Sequence, residues 1–127
     1  MKKLLIVCFG VVFLSLLAGC QSKEQQVIST VQAYLQALVK KDEASFVKLS
    51  CPDWQSQALL EYDAFGNVTT TLKDLSCKAS NVTANSAIVN CTGSIEASYQ
   101  NEVQSFPLSD RNFKIINSGG DWQVCGY

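Results

Sequence analysis

The residues able to do chemistry in this chain are cysteines, carboxylates and aromatic side chains with polar tips. Histidine is absent from all 127 positions. Without an imidazole, Ser–His–Asp and Cys–His nucleophilic catalysis, histidine-containing zinc sites and imidazole proton shuttling are excluded. The cysteines are Cys8, Cys20, Cys51, Cys77, Cys91 and Cys125. No two of them form a Cys-x-x-Cys, which argues against a thioredoxin-like redox motif and a zinc ribbon.

The carboxylates have ordinary structural roles in this pattern. Asp42 reads as a helix cap, Asp53 as a first-turn residue of a helix, and Glu96 as a member of a polar strand face. Asp110 and Asp121 fall at strand ends or turns. No sequence context implies the raised pKa that a general base requires, so no catalytic residue, metal site or cofactor is assigned. The better candidates are Tyr34, Trp54, Tyr62, Tyr99, Phe113 and Trp122, which can line an apolar cavity while their hydroxyl or indole groups orient a ligand. The competing demand is stability, because a domain this small needs aromatics to fill its core. A formal charge of −1 argues against nucleic acid as a partner, since phosphate binding needs clustered Lys and Arg.

The elements that must position these residues follow from periodicity. Val27, Ile28, Val31, Tyr34, Leu35, Leu38 and Val39 recur at three- and four-residue spacing, the pattern of an amphipathic helix. Lys40 and Lys41 sit where its dipole favours cations. Asp42 then caps a short second helix carrying Phe46, Val47 and Leu49. Pro52 forces a break, after which Ser50 or Cys51 caps a third helical stretch through Trp54, Ala58, Leu59, Leu60 and Tyr62, ending at Phe65-Gly66-Asn67.

Beyond Gly66 the texture becomes strand-like. Ala87, Val89, Cys91, Gly93, Ile95, Ala97 and Tyr99 alternate with mostly polar residues, and Leu75, Cys77 and Ala79 form a shorter stretch of the same kind. Phe113 and Ile115 share a face of a further strand, Ser118-Gly119-Gly120 is a turn, and a last strand carries Trp122 and Val124. Helices followed by an antiparallel meander predict an α+β domain, with the N-terminal helices packed on one face of the sheet.

The start of the chain resembles a bacterial lipoprotein precursor. Lys2 and Lys3 precede an apolar run from Leu4 to Ala18, too short for the roughly 20 residues of a spanning helix. The run ends in Leu17-Ala18-Gly19-Cys20, which is similar to a lipobox. The resemblance implies that residues 1–19 are removed and that Cys20 becomes a lipid-modified N-terminus. The domain would then be anchored at the cell envelope, on the outer face of the cytoplasmic membrane or on the outer membrane. Residues 20–26 read as the lipidated N-terminus and a polar tether, and residues 27–127 as a single domain. Loss of Lys2 and Lys3 moves the formal charge from −1 to −3.

Cys8 leaves with the signal and Cys20 carries lipid, so four cysteines remain in an exported domain, enough for two disulfides in one of three connectivities. A hairpin centred on Ala84 places Cys77 opposite Cys91, with both thiols on one face at cross-strand distance. Cys51 is then left with Cys125, although Cys125 falls on the polar side of the last strand unless that strand frays near Gly126.

The order of elements also resembles a known superfamily. A long first helix, the Lys-Lys-Asp-Glu-Ala-Ser-Phe segment at residues 40–46, a third helix, and strands ending in Gly-Gly-Asp-Trp-Gln-Val-Cys at residues 119–125 resemble small exported NTF2-like (cystatin-like) domains. The resemblance covers residues 24–127 and implies a curved sheet wrapped around helices as a cone. Such cones host isomerases, cyclases, dehydratases and plain binding proteins, so the fold does not select a function. The expectation is a non-catalytic module that binds a small apolar ligand or an envelope protein. The rival is a small enzyme using a pocket carboxylate to transfer a proton.

Overall fold

The structure, a computed structural model, describes residues 21–127. The signal segment 1–19 and the lipid site Cys20 lie outside the described residues. Three helices, α1 (Lys23–Lys40), α2 (Glu43–Lys48) and α3 (Gln55–Ala64), precede five strands. The strands are β1 (Thr69–Ser80), β2 (Ser86–Tyr99), β3 (Glu102–Pro107), β4 (Asn112–Ser118) and β5 (Asp121–Val124). The domain is α+β, with the helices packed on one curved antiparallel sheet.

Helix α1 starts earlier than its apolar pattern. Residues 23–26, read from sequence as tether, form its first turn, because Ser22 accepts a hydrogen bond from the Gln25 N–H and Glu24 complements the dipole. Only Gln21 and Ser22 separate α1 from position 20. Val27, Val31, Tyr34, Leu35, Ala37 and Leu38 are its buried stripe. The Asp42 carboxylate caps α2 by accepting from the Ser45 N–H at 3.1 Å. Helix α3 differs from its expected start. Neither Ser50 nor Cys51 caps it through a side chain: Ser50 Oγ donates back to the Phe46 carbonyl, while the Cys51 carbonyl accepts from the Trp54 and Gln55 N–H groups. Asp53 lies in the turn before the helix, outside its first turn.

Strand β2 is the spine of the sheet. β1 pairs along one edge, while β3 and β4 share the other edge, β3 against Ser94–Tyr99 and β4 against Ser86–Asn90. β5 extends the sheet from β4. Strand β3 escapes sequence detection because all its residues except Phe106 are exposed and no alternation marks it. Its signal is the two-residue turn Gln100-Asn101, both with positive φ, at 46° and 67°.

The register of the β1–β2 hairpin carries a bulge. Cys77 pairs with Cys91, but the pairing shifts between Lys73 and Ser76. The extra residue inverts the alternation, so Thr70 and Leu72 on one side and Leu75, Cys77 and Ala79 on the other all face inward. The core forms between this inner face, carrying Val89, Cys91, Ile95, Phe113, Ile115 and Val124, and the helical residues Val27, Val31, Tyr34, Leu35, Leu38 and Phe46.

Two disulfides, Cys51–Cys125 and Cys77–Cys91, staple the domain. Cys125 reaches Cys51 because the ladder slips past Val124. Cys125 N–H donates to the Lys114 carbonyl, and Lys114 N–H donates to the Gly126 carbonyl. The α2–α3 connection meets this end directly, with Cys51 N–H donating to Val124 and Val124 N–H donating to Leu49.

Candidate functional site

The alternation of β4 points Arg111, Phe113 and Ile115 to one face, so an arginine sits where the strand enters the cone. On α3 and its C-cap, Ala58, Glu61, Tyr62 and Phe65 form the inward stripe at helical spacing, which brings a carboxylate to the same place. Arg111 Nη2 lies 2.8 Å from Glu61 Oε1, and the two side chains are only 15% and 14% exposed. Tyr127 completes the cluster. Its hydroxyl donates to Glu61 Oε2, and its ring lies under the Arg111 guanidinium at 4.5 Å. That ring also meets Trp54 and Phe113 edge-on, both at 5.2 Å.

Behind this cluster the cone is filled. Tyr34 is fully buried and stacks on Phe46 at 4.4 Å, while its hydroxyl accepts from Trp54 Nε1 at 3.2 Å. Phe46 in turn packs on Tyr62 at 5.4 Å. Burial pushes the Tyr34 hydroxyl well above the ordinary tyrosine range, so it stays a neutral hydrogen-bonding group. Burial and the neighbouring Glu61 carboxylate push Tyr127 up in the same direction. Among the described residues, one buried side-chain polar atom lacks a hydrogen-bond partner, Arg111 Nη1.

Of the six aromatics expected at a cavity, the structure brings together Tyr34, Trp54, Tyr62 and Phe113, and it packs them against Phe46 and Tyr127 rather than around an open space. Tyr99 and Trp122 are elsewhere. Tyr99 is 58% exposed at the β2–β3 turn, beside a depression of about 470 Å³ that it shares with Val68, Ala97 and Val103. Trp122 lines an open groove of about 370 Å³ beside the first turn of α1, where its Nε1 donates to Gln26 Oε1 at 3.1 Å.

Glu61, Arg111 and Tyr127 were not legible as a site in sequence. The available signals were two charges on otherwise inward-facing parities, one on α3 and one immediately before β4. The cluster holds a cation and a carboxylate in direct contact, with a phenol that is bonded to the carboxylate and covered by the cation. It does not present a free base, because each Glu61 oxygen already has a partner. Glu96, on the sheet, accepts from Ser94 Oγ at 2.9 Å; that bond, with Ser105 and Lys73, holds its carboxyl below the usual range. Among the described residues, no three Cys, Asp or Glu side chains cluster as metal ligands.

Neither a known family profile nor a curated protein sequence matches the chain. Its fold does match solved structures. A candidate polyketide cyclase from Xanthomonas campestris pv. campestris superposes with a TM-score of 0.59 at 14% identity, covering 84% of this chain and 92% of that one. A protein of unknown function from Mycobacterium tuberculosis gives 0.57 at 11% identity over 79% and 70% of the two chains. An NTF2-like protein of unknown function from Pseudomonas putida KT2440 gives 0.55 at 11% identity over 80% of each. The chain has the NTF2-like cone fold.

Proposed function

We propose that this protein is a bacterial lipoprotein whose NTF2-like domain serves as a non-catalytic binding module at the cell envelope, held there by a lipid on Cys20. Leu17-Ala18-Gly19-Cys20 supports the anchor. The two disulfides fit an oxidising, extracytoplasmic compartment. No helix among the described residues is long and apolar enough to cross a membrane. Only Gln21 and Ser22 separate the anchor position from the capped first turn of α1, so the lipid would hold the domain close to the bilayer surface.

The observation that carries a binding role over catalysis is the state of Glu61. It is the carboxylate at the cone mouth, and Arg111 and Tyr127 occupy both of its oxygens. The second reading, proton transfer by a cone carboxylate, draws on the same residue and on the fold shared with a candidate cyclase. It requires Glu61 to exchange those partners for substrate.

Replacing Cys20 with Ser is expected to move the protein from the membrane to the soluble fraction, and retention on the membrane would refute the anchor. Native mass spectrometry of the wild-type protein taken from its own envelope tests the module. A retained small molecule or protein partner is expected. The bare mass alone, together with turnover of an added substrate, would favour the enzyme.

A further inference from the structure

We infer that Tyr127 occupies, as an internal stand-in, a seat built for a hydroxylated aromatic ligand bearing a second acceptor oxygen. The inference rests on the binding-module reading and names the ligand class of that module. Four groups surround the Tyr127 ring as they would a bound phenol. The Arg111 guanidinium covers its face at 4.5 Å, and Trp54 and Phe113 meet it edge-on at 5.2 Å. The Glu61 carboxylate accepts its hydroxyl proton. A cation over the ring face and ring edges at its sides suit the aromatic quadrupole, and a carboxylate in an apolar setting selects for a donor hydroxyl.

Two further features separate this arrangement from ordinary core packing. Tyr127 as a residue is 37% exposed, whereas Tyr34 behind it is fully buried, so a molecule arriving from solvent meets the seat before the core. Arg111 Nη1 is buried and has no acceptor, although guanidinium donors at buried sites normally find one. Tyrosine offers only a hydroxyl and leaves that donor unmet. A ligand with a carbonyl or second hydroxyl in addition to its phenol hydroxyl supplies the missing acceptor. Gly126, next to Tyr127, has φ 137°, a backbone conformation that favours glycine, and it lies against the Trp54 ring. Tyr127 is therefore a competitor in cis, and the apparent affinity for the external ligand falls with the fraction of time the seat is open.

The two indole N–H groups make the test internal. Trp54 borders the seat, whereas Trp122 lies on the groove beside α1 and serves as the control. The ¹⁵N-labelled lipidated protein in detergent is titrated with 4-hydroxybenzaldehyde, and both indole resonances are followed, with Trp122→Phe giving the assignment. Tyr127→Ala is expected to bind about tenfold tighter than wild type, as removing a plug that leaves a roughly 10% open state would. The Trp54 signal should move while Trp122 stays still. Adding Arg111→Gln should reverse the gain, and benzaldehyde, which lacks the hydroxyl, should bind more weakly.

A Trp54 resonance unmoved in Tyr127→Ala with both disulfides intact would overturn the inference, as would equal movement of both indoles. If Tyr127→Ala does not fold, Tyr127→Phe keeps the ring but removes its bond to Glu61. It should then bind the probe more tightly than wild type, and unchanged affinity counts against the seat. A molecule retained in native mass spectrometry that leaves Trp54 unmoved removes this seat and spares the module.

Discussion

Tyr34 shows how a single residue carries both packing and polarity. Its place on the buried stripe of α1 follows from the three- and four-residue spacing around it. Its partner, Trp54 Nε1, and its neighbour Phe46 come from other elements and could not be read from that spacing. Burial raises the pKa of Tyr34, and burial with Glu61 raises that of Tyr127. A group whose pKa is raised on folding stabilises the native state below its unfolded value and loses that contribution as pH climbs towards the folded one. The window therefore opens near pH 10, the ordinary tyrosine value, and extends upward. Burial raises Tyr62 as well, while Lys41, lowered by burial, works in the opposite direction, one group against three. Thermal melts are expected to fall in midpoint above about pH 10. Tyr34→Phe should flatten that fall; an unchanged slope would show that the buried hydroxyl is not its source.

At the scale of elements, the hairpin of β1 and β2 depends on a close backbone crossing. Gly93 has φ 93°, and a Cβ there would sit 2.4 Å from the Lys73 carbonyl and 2.6 Å from that of Asp74. Asp74 itself takes a left-handed conformation, with φ 53°. Both atoms near Gly93 are backbone, so no rotamer change relieves the clash. Gly93→Ala is expected to cost at least about 1–3 kcal/mol, the range for a forced unfavourable backbone. Denaturant unfolding of the variant measures this, and a loss within error of zero would contradict the bulge. Alternation in sequence marked Gly93 as one more inward position, yet only the pairing of the strands shows why the residue is glycine. Strand β3 and the first turn of α1 were missed for a related reason. Polar, exposed segments leave no apolar period to read, and hydrogen bonds to Ser22 and to β2 define them instead.

For the whole molecule, the two disulfides divide the work of holding the layers. Cys77–Cys91 closes a separation of 14 residues within one hairpin, whereas Cys51–Cys125 closes 74 and ties the helical half to the end of the sheet. In the chain-entropy treatment these contribute about 3 and about 4.5 kcal/mol respectively. Replacing each pair with alanines should therefore lower stability in that order, with the Cys51–Cys125 variant the weaker. Urea melts of the two double variants check this, and a reversed order would show that strain or cavities outweigh loop entropy. The hairpin pair was legible from strand register alone. The long-range pair was legible only as the remainder, because the slip at Cys125 that turns it towards Cys51 arises from its bonds with Lys114.

What the sequence determined by itself was the class of the fold, the exclusion of imidazole chemistry and the local elements, since composition and periodicity act between near neighbours. It also placed Tyr34 and Phe113 facing inward. Only the tertiary structure decided which of the expected aromatics meet, that the cone is filled rather than hollow, and that Glu61, Arg111 and Tyr127 form one cluster. Those three residues come from a helix, the residue before a strand and the chain beyond the last strand. No period links them, and a contact between distant segments becomes visible only when the sheet curves round the helices and brings their side chains within bonding distance.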